Sequence, residues 1–353
     1  MGLEFVDLTA DPDAWNRYVD HDHVTGATPF HRAEALRVLE AHSKGTLHCL
    51  VGLHGDEPVG LLPVFETTRY GRPAVVSPPH ILESFSLGPV LNTANTGKRR
   101  RREQTLDEFV SGSVQWLHDA FDPDFIHLRG TTDLTDVRCY RWADFDATPD
   151  YTYHVDLTAD EETIKSRFSR NIRRNIKDLD DHRLTFELGD RDDIDMVLDL
   201  VRDRHEQQDK SYRVTPAFVT DLADALPDGT VRTHVAVVDD DPETGIIAIH
   251  DDDRVYRWQG AVDPGVGFPV VSLLDWHIMQ TAKAEGASVY DLGGANMKRL
   301  TGFKAKLGPE LAVYYNLRWR STPMALRQMA AATVAPAVPF SLPGPLGGFL
   351  TER

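Results

Sequence analysis

Cysteine and long apolar runs are both scarce in this chain of 353 residues. Cys49 and Cys139 are its two cysteines, and no C-x-x-C spacing occurs, which argues against a disulfide framework and against a zinc ribbon. No stretch of about 18 apolar residues is found, so we expect no membrane-spanning helix. The opening residues, MGLEFVD, contain neither the basic nor the apolar segment of a secretion signal. These absences together predict a cytoplasmic protein.

Lysine is rare as well, whereas aspartate is abundant. The sequence has 9 Lys against 29 Arg, and 39 Asp with 16 Glu, for a formal net charge of −17. Such a surface suits molar salt, where repulsion between like charges is screened, and we interpret the chain as halophilic. An ordinary acidic cytoplasmic protein is the alternative. In either case general attraction to nucleic acid is disfavoured, so an anionic partner needs a local basic site.

The order of elements predicts a mixed α/β protein with two domains. Hydrophobic residues make up 41% of the chain, which is enough for sizeable cores, and no internal repeat is visible. Helical and strand patterns alternate, with several hairpin-like strand pairs between helices, which favours an α+β mixed sheet over one wound sheet. We place the domains at residues 1–150 and 151–330. Residues 331–353 are rich in proline and glycine and predict a loose tail.

The segment from Tyr256 to Leu311 is the most informative. A strand ends at Val262, and a turn with Gly265 and Gly267 leads into a strongly apolar helix predicted over Pro269–Glu285. A helix N-terminus offers free N–H groups to a phosphate or carboxylate, and glycine lets the backbone approach the ligand. The alternative is that this turn is only a connector.

Several short motifs between about residues 25 and 320 are similar to the FemAB-like group of the GNAT acyltransferase superfamily. They are the strand–turn–helix–strand order after Tyr256, Gly302-Phe303-Lys304, Leu307-Gly308, Pro29-Phe30, His54-Gly55-Asp56 and Val59-Gly60-Leu61-Leu62-Pro63. The resemblance implies tandem GNAT-like domains and an enzyme that moves an acyl group to an amine. One departure is that valine, at position 262, stands where acetyl-CoA-binding members usually carry Gln or Arg before the glycines.

The resemblance assigns Lys304 to the reaction centre. A fixed cation there would stabilise the oxyanion of acyl transfer, and Phe303 would anchor it in the core. The proton acceptor stays open among Asp291, Glu310 and Tyr256. No tightly bound cofactor and no metal are expected. The donor is acetyl-CoA or an aminoacyl-tRNA, so tRNA is a possible partner, and the acceptor is a small molecule or a peptide or glycan precursor. The oligomeric state is open. A non-catalytic GNAT-like module that binds an anion is the rival hypothesis.

Two runs of basic residues are further candidate binding sites. A helix predicted from Asp160 to Leu179 carries cations on the face opposite its apolar stripe; those we assign to a phosphate-binding site are Arg170, Arg173, Arg174 and Lys177. Pairing with aspartates elsewhere is the alternative. The second run, Lys98–Arg102, is more typical of a solvated surface, with tRNA, glycan or membrane contact as its alternatives.

Two aromatic residues in the strand before the glycine turn are also candidates. Tyr256 and Trp258 alternate with Arg257, which places them on one face of a strand, as part of the core or as the wall of a substrate groove.

Overall fold

The computed structural model describes residues 3–80, 82–92, 98–179, 184–239, 241–262, 270–325 and 328. They form two compact units, one of residues 1–149 with residues from 314 onward, the other of residues 150–313. The C-terminal boundary therefore differs from the prediction, because residues 314–320 belong to the first unit and not to a domain ending at residue 330. The predicted tail at 331–353 lies outside the described residues. None of the described helices is long and apolar enough to cross a bilayer.

The first unit is a mixed sheet with helices. Its elements are β1 (Glu4–Asp7), α1 (Pro12–Val19), β2 (Val24–Thr25), α2 (Ala33–His42), β3 (Thr46–His54), β4 (Glu57–Arg69), β5 (Arg72–Ser77), β6 (Val90–Asn92), α3 (Arg99–Phe121), β7 (Phe125–Arg129) and α4 (Arg138–Trp142). Strand β8 (Asp146–Asp156) begins in this unit, and β14 (Glu310–Arg320) ends in it.

The strand order in this sheet is β1-β3-β4-β5-β7-β14. Strands β5 and β7 run parallel, with Val76 paired to His127, and the other pairs are antiparallel. The helix α3 connects the two parallel strands and covers one face of the sheet. Its buried residues Phe109 and Leu117 pack into a core with Ile126 and Leu128 of β7.

The second unit has the same general plan. Its elements are α5 (Glu161–Arg167), α6 (Arg170–Lys177), β9 (Leu184–Leu188), α7 (Arg191–Glu206), α8 (Pro216–Ala225), β10 (Val231–Val238), β11 (Asp241–His250), β12 (Arg254–Val262), α9 (Val270–Ala284), β13 (Val289–Asp291) and α10 (Lys298–Lys304). The strand order is β8-β13-β12-β11-β10-β9, and β12 and β13 are the parallel pair, connected by α9.

Helix α9 forms the centre of the second unit's core. Most of its residues are buried, as expected for a helix that is apolar on nearly all sides. Trp276, for example, contacts Phe168 edge-to-face at 5.3 Å between ring centroids. The helix predicted over Pro269–Glu285 is thereby confirmed for its described residues.

The basic segment forms two helices, not the single helix predicted from Asp160 to Leu179. Helix α5 ends at Arg167, and Phe168 and Ser169 are extended before α6 begins. Phe168 is buried in the core, and the Ser169 amide donates to the carbonyl of Lys306 at 2.7 Å. The apolar spacing of four residues is real, but burial of Phe168 and this hydrogen bond interrupt the helix between its two halves.

Candidate active site

The parallel strands β12 and β13 pair over only three residues. The pairs are Arg254 with Val289, Val255 with Tyr290 and Tyr256 with Asp291. Strand β13 ends at Asp291, whereas β12 continues to Val262. The two strands therefore part just after Tyr256 and Asp291, and the chain beyond β13 is free to turn back across this end of the sheet.

Lys304 lies at this point. Its side chain is buried, with 8% of the residue exposed, and its Nζ donates to the carbonyls of Gly293 and Gly294, at 3.0 Å each. Gly293 has φ +71°, and a Cβ there would lie 3.1 Å from the carbonyl oxygen of Arg257 and 3.8 Å from Nζ of Lys304. Glycine therefore lets the backbone after β13 approach both the lysine and strand β12.

The amine of Lys304 is less basic than a lysine in water. Its pKa is lowered from 10.5 to about 8, mainly because the charged form loses hydration on burial and also because of the nearby charge of Arg257. The carboxylates of Asp275 and Asp291 act in the opposite direction. A lysine with this pKa remains mostly protonated at neutral pH.

A buried ionic cluster lies beside it. Asp275 of α9 is fully buried and accepts from Nε of Arg257 at 3.1 Å and from the hydroxyl of Tyr290 at 2.8 Å. Burial raises the pKa of Asp275, while Arg257, Tyr290 and Lys304 oppose that rise. Its second oxygen, Oδ2, has no hydrogen-bond partner among the described residues.

Asp291 is a second buried carboxylate near the lysine. It accepts from the Thr152 hydroxyl at 2.5 Å and from the Gly293 amide at 2.8 Å, and Nε2 of His154 lies 3.3 Å away. Burial works against its charged form, but the contacts with His154, Thr152 and Gly293 hold the pKa of Asp291 below its usual range. The site thus contains two cations and two carboxyl groups in a largely water-excluded setting.

Sequence reasoning identified Lys304 but missed Asp275 and Arg257. The available signal was one carboxylate in the apolar run VVSLLDWHIM, since an unpaired aspartate on a buried helix face is costly and predicts a cation nearby. Arg257 was treated only as a spacer between two aromatic residues, although it is the partner of Asp275 at 3.1 Å.

Tyr256 and Trp258, the aromatic residues predicted to lie on one face of a strand, are in β12, but the pairing of this strand with β11 is irregular. Tyr256 is buried next to Asp291 in the pairing register, and Trp258 is half-buried against Phe218 at 5.8 Å between ring centroids. The register with β11 shifts between Arg257 and Gln259, which leaves Trp258 as a bulged residue. The predicted strict alternation along this strand is therefore wrong at the bulge, where one extra residue disturbs the pleat.

The remaining predicted residues are dispersed. Phe303 is half-buried against the core of the second unit. The four cations of α6 are exposed and make no ion pair with any residue in the described ranges; they are Arg170, Arg173, Arg174 and Lys177. No contact in the described ranges joins them to Lys304. Gly265 and Gly267 lie outside the described residues.

The comparisons with known proteins agree with this fold. Residues 166–305 match the model of a family described as an acetyltransferase (GNAT) domain. No curated protein sequence matches the chain.

Solved structures are similar over nearly the whole length. FemX has 12% identity and a TM-score of 0.68, over 92% of this chain and 99% of the FemX chain. The C-terminal domain of a putative lysylphosphatidylglycerol synthetase from Agrobacterium fabrum has 14% identity and a TM-score of 0.56, over 95% and 99%. A tandem GNAT protein from the clavulanic acid biosynthesis pathway has 11% identity and a TM-score of 0.50, over 90% and 98%. These likenesses concern the fold, which is that of tandem GNAT-like domains.

Proposed function

Because this chain has the tandem GNAT-like fold and its residues 166–305 match a GNAT acetyltransferase domain, we propose that it is an N-acyltransferase of the FemAB-like kind. An acceptor amine attacks the carbonyl carbon of an acyl thioester or aminoacyl ester bound in the second unit. The C–N bond forms first and moves the carbonyl electron pair onto oxygen; this oxyanion then collapses, the bond to the thiolate or alkoxide breaks, and the amine nitrogen loses a proton. Binding both reactants together supplies much of the acceleration, because it converts a bimolecular step into a unimolecular one.

The observation that carries this proposal is the placement of Lys304. The ammonium has three donors, and the carbonyls of Gly293 and Gly294 accept from it at 3.0 Å each. These bonds fix its position before the reaction, so that its remaining donor can stabilise the oxyanion without reorganisation. Its burial strengthens this interaction, because water does not screen it.

A covalent enzyme intermediate is not part of the proposal. Both cysteines lie in the first unit, and burial raises the pKa of Cys49 to about 12 and that of Cys139 to about 11. A thiol is an active nucleophile only as the thiolate. Neither cysteine is therefore suited to attack the donor at neutral pH, which favours direct attack by the amine.

The three candidate proton acceptors are not equivalent. Asp291 is a weak base, because its contacts hold its pKa below the usual range. Glu310 is exposed, and Tyr256 is buried. We propose that bulk water, and none of these three side chains, accepts the proton that the amine loses.

The donor and acceptor classes follow from the same proposal. The donor is acetyl-CoA or an aminoacyl-tRNA, and its phosphates bind at the segment with Gly265 and Gly267, where the sequence predicts a turn, and at the exposed cations of α6. The acceptor is a small molecule or a peptide or glycan precursor with a free amine. The location is cytoplasmic, where both donors are made.

The rival is a non-catalytic GNAT-like module that binds an anion through α6. It is favoured by the exposure of Arg170 and Arg173 without an ion pair in the described ranges. The two candidates differ in turnover, because only the enzyme requires Lys304 for product formation.

The test offers each donor separately to protein purified in molar KCl. Native mass spectrometry detects a complex with acetyl-CoA or with aminoacyl-tRNA, and a panel of amines is then screened for transfer of the bound acyl group. We expect one donor to bind and to be consumed with an amine. A donor that binds but is never consumed, by either wild type or Lys304→Gln, would support the binding module instead.

A further inference from the structure

The first unit contains a group of arginines that the acyl-transfer site does not use. Arg69 is the last residue of β4, Arg129 the last of β7, and Arg318 lies near the end of β14. All three are half-buried. A half-buried guanidinium gives up part of its hydration, so Arg69 and Arg129, which have no carboxylate at ion-pair distance in the described ranges, require an explanation.

The strand register brings them to one face of the sheet. Ile126, Leu128 and Leu317 pack into the core beneath α3. Side chains alternate along a strand, so His127 and Arg129 point to the opposite face. Arg318 is paired with His127 in the register and shares that face.

Arg69 reaches the same face from β4. Its Cζ lies 4.6 Å from the centroid of the Phe125 ring. Phe125 is two residues before His127 on β7 and therefore lies on the same face of the sheet. Burial, with the charges of Arg129, Arg69 and Arg318, lowers the pKa of His80 to about 3. The register and these contacts place the three arginines on one face of the sheet together with His127, whose Nδ1 lies 3.0 Å from Nε2 of His80.

A chain of hydrogen bonds orients this histidine. Nε2 of His127 lies 2.9 Å from Oδ1 of Asn316, and Nδ1 of His127 lies 3.0 Å from Nε2 of His80. With the amide oxygen as acceptor, Nε2 of His127 carries its proton and Nε2 of His80 donates to the other nitrogen. Nδ1 of His80 is then an acceptor, and it is buried without a partner in the described part of the chain.

Other polar atoms around the group are also unsatisfied. Nε of Arg69 and the hydroxyl of Ser84 are buried and have no hydrogen-bond partner in the described residues. Arg129 donates to the carbonyl of Ser84 at 3.0 Å, which ties that loop to the group. Buried polar groups normally have partners, and a polar ligand at this place would satisfy these donors and acceptors together.

Neighbouring arginines on this face show the contrast. Arg72 pairs with Asp124 at 2.5 Å, and Arg320 pairs with Asp146. Within the described ranges, neither Arg69 nor Arg129 has a carboxylate at ion-pair distance. In a chain with 55 acidic and 38 basic side chains, that absence sets these two arginines apart from their neighbours.

We propose that Arg69, Arg129, Arg318 and His80 form a phosphoryl-binding site in the first unit. Guanidinium groups bind phosphate oxygens through paired N–H donors, and Nδ1 of His80 accepts a hydrogen bond from a protonated phosphate oxygen. The ligand is a phosphate or a phosphate ester. This site lies outside the second unit and does not depend on the acyl transfer proposed above.

The test measures binding of inorganic phosphate by isothermal titration calorimetry, with no acyl donor present. We expect saturable binding by the wild type at millimolar phosphate or below. Arg69→Gln and Arg129→Gln should each weaken it about tenfold or more, because a charge-assisted hydrogen bond is lost. Arg320→Gln, on the same strand and face as Arg318 but paired with Asp146, is the matched control and should bind as the wild type does.

Two further measurements keep the result clear. Circular dichroism melts establish whether each variant is folded. If Arg129→Gln unfolds because its contact with Ser84 is lost, Arg69→Gln alone tests the proposal. Vesicles with and without phosphatidylglycerol distinguish a lipid headgroup from a soluble phosphate ester as the source of the phosphoryl group. No saturable binding by the wild type, or equal binding by wild type and both variants, would overturn the proposal.

Discussion

The Nζ atom of Lys304 lies 3.0 Å from the carbonyl oxygen of Gly293, a residue with φ +71° at which a side chain would lie 3.1 Å from the backbone of Arg257. Glycine at this position therefore brings three segments of the second unit together. They are strand β12, the turn after β13 and the helix α10. The lowered pKa of Lys304 and its fixed position both follow from this arrangement, and several measurable properties follow from them.

The lowered pKa of Lys304 makes stability and activity change in opposite directions with pH. Its pKa is about 8 in the folded chain and 10.5 as an ordinary lysine. The unfolded chain therefore binds more protons between those values, and the free energy of unfolding rises with pH across this window. Below about pH 8 both states are protonated, and the cost of burying the charge is fully present. The ammonium required for oxyanion stabilisation, however, is lost above pH 8.

Thermal melts of wild type and Lys304→Met from pH 7 to 10 isolate this contribution, since other titrating groups are common to both. We expect the wild type to gain stability relative to the variant as pH rises, while its turnover declines with an apparent pKa near 8. Parallel melting curves across this range would show that Lys304 does not titrate there.

The buried pair of Arg257 and Asp275 should contribute strongly to stability. Removing one partner leaves the other charge buried and uncompensated, which typically costs about 3–5 kcal/mol. We expect Arg257→Met to lower the free energy of unfolding by roughly this amount, measured by urea denaturation. The double variant Arg257→Met with Asp275→Leu should recover part of the loss, because no unpaired charge remains. A double variant less stable than both single variants would contradict this account of the pair.

The exposed cations of α6 should act on donor binding and not on the chemical step. Arg170→Ala with Arg173→Ala removes two charges that have no ion pair in the described ranges. We expect a rise in the KM of a phosphate-bearing donor with kcat changed little, because binding contacts that are equal in the ground and transition states alter KM alone.

The matched control for α6 is Arg202→Ala, a half-buried arginine paired with Asp199 in the same unit. It should leave KM unchanged. A double α6 variant with the wild-type KM would remove this helix from the donor site.

The halophilic interpretation predicts that the protein becomes more stable in salt. A net charge of −17 repels itself, and molar salt shortens the screening length to about 3 Å, compared with about 8 Å in ordinary buffer. We expect the Tm to rise between about 0.1 M and roughly 2–3 M KCl. A Tm that stays constant or falls over this range would indicate an ordinary acidic protein.

The sequence predicted the fold class, and it singled out Lys304 as a candidate without revealing the environment of that lysine. The motif around Lys304 is local, and the alternation of helices and strands follows from periodicity along the chain. The burial of Lys304 is not local, because it depends on β12, the turn after β13 and α10 meeting in space. No local pattern therefore reveals that only 8% of this residue is exposed.

Two further failures have the same physical origin. The break between α5 and α6 is set by the burial of Phe168 and by a hydrogen bond from Ser169 to the carbonyl of Lys306, which no local pattern reveals. The C-terminal strand was placed in the second domain, but its residues Tyr314–Arg320 fall in the first unit, where Leu317 pairs with Leu128. Pairing between residues nearly 200 positions apart is decided by the fold and not by nearby residues.

The central claim, that Lys304 stabilises the oxyanion, is tested most directly by the turnover of Lys304→Gln. Glutamine keeps N–H donors for the carbonyls of Gly293 and Gly294 but has no charge, and Lys306→Gln, an exposed lysine two residues away, is the matched control. Once a donor and an acceptor are identified, initial rates at saturating substrate should fall ~10²–10³-fold in Lys304→Gln, about 2.7–4 kcal/mol of barrier, and remain near the wild-type value in Lys306→Gln. A folded Lys304→Gln variant with near-normal turnover would contradict the proposed role of this lysine.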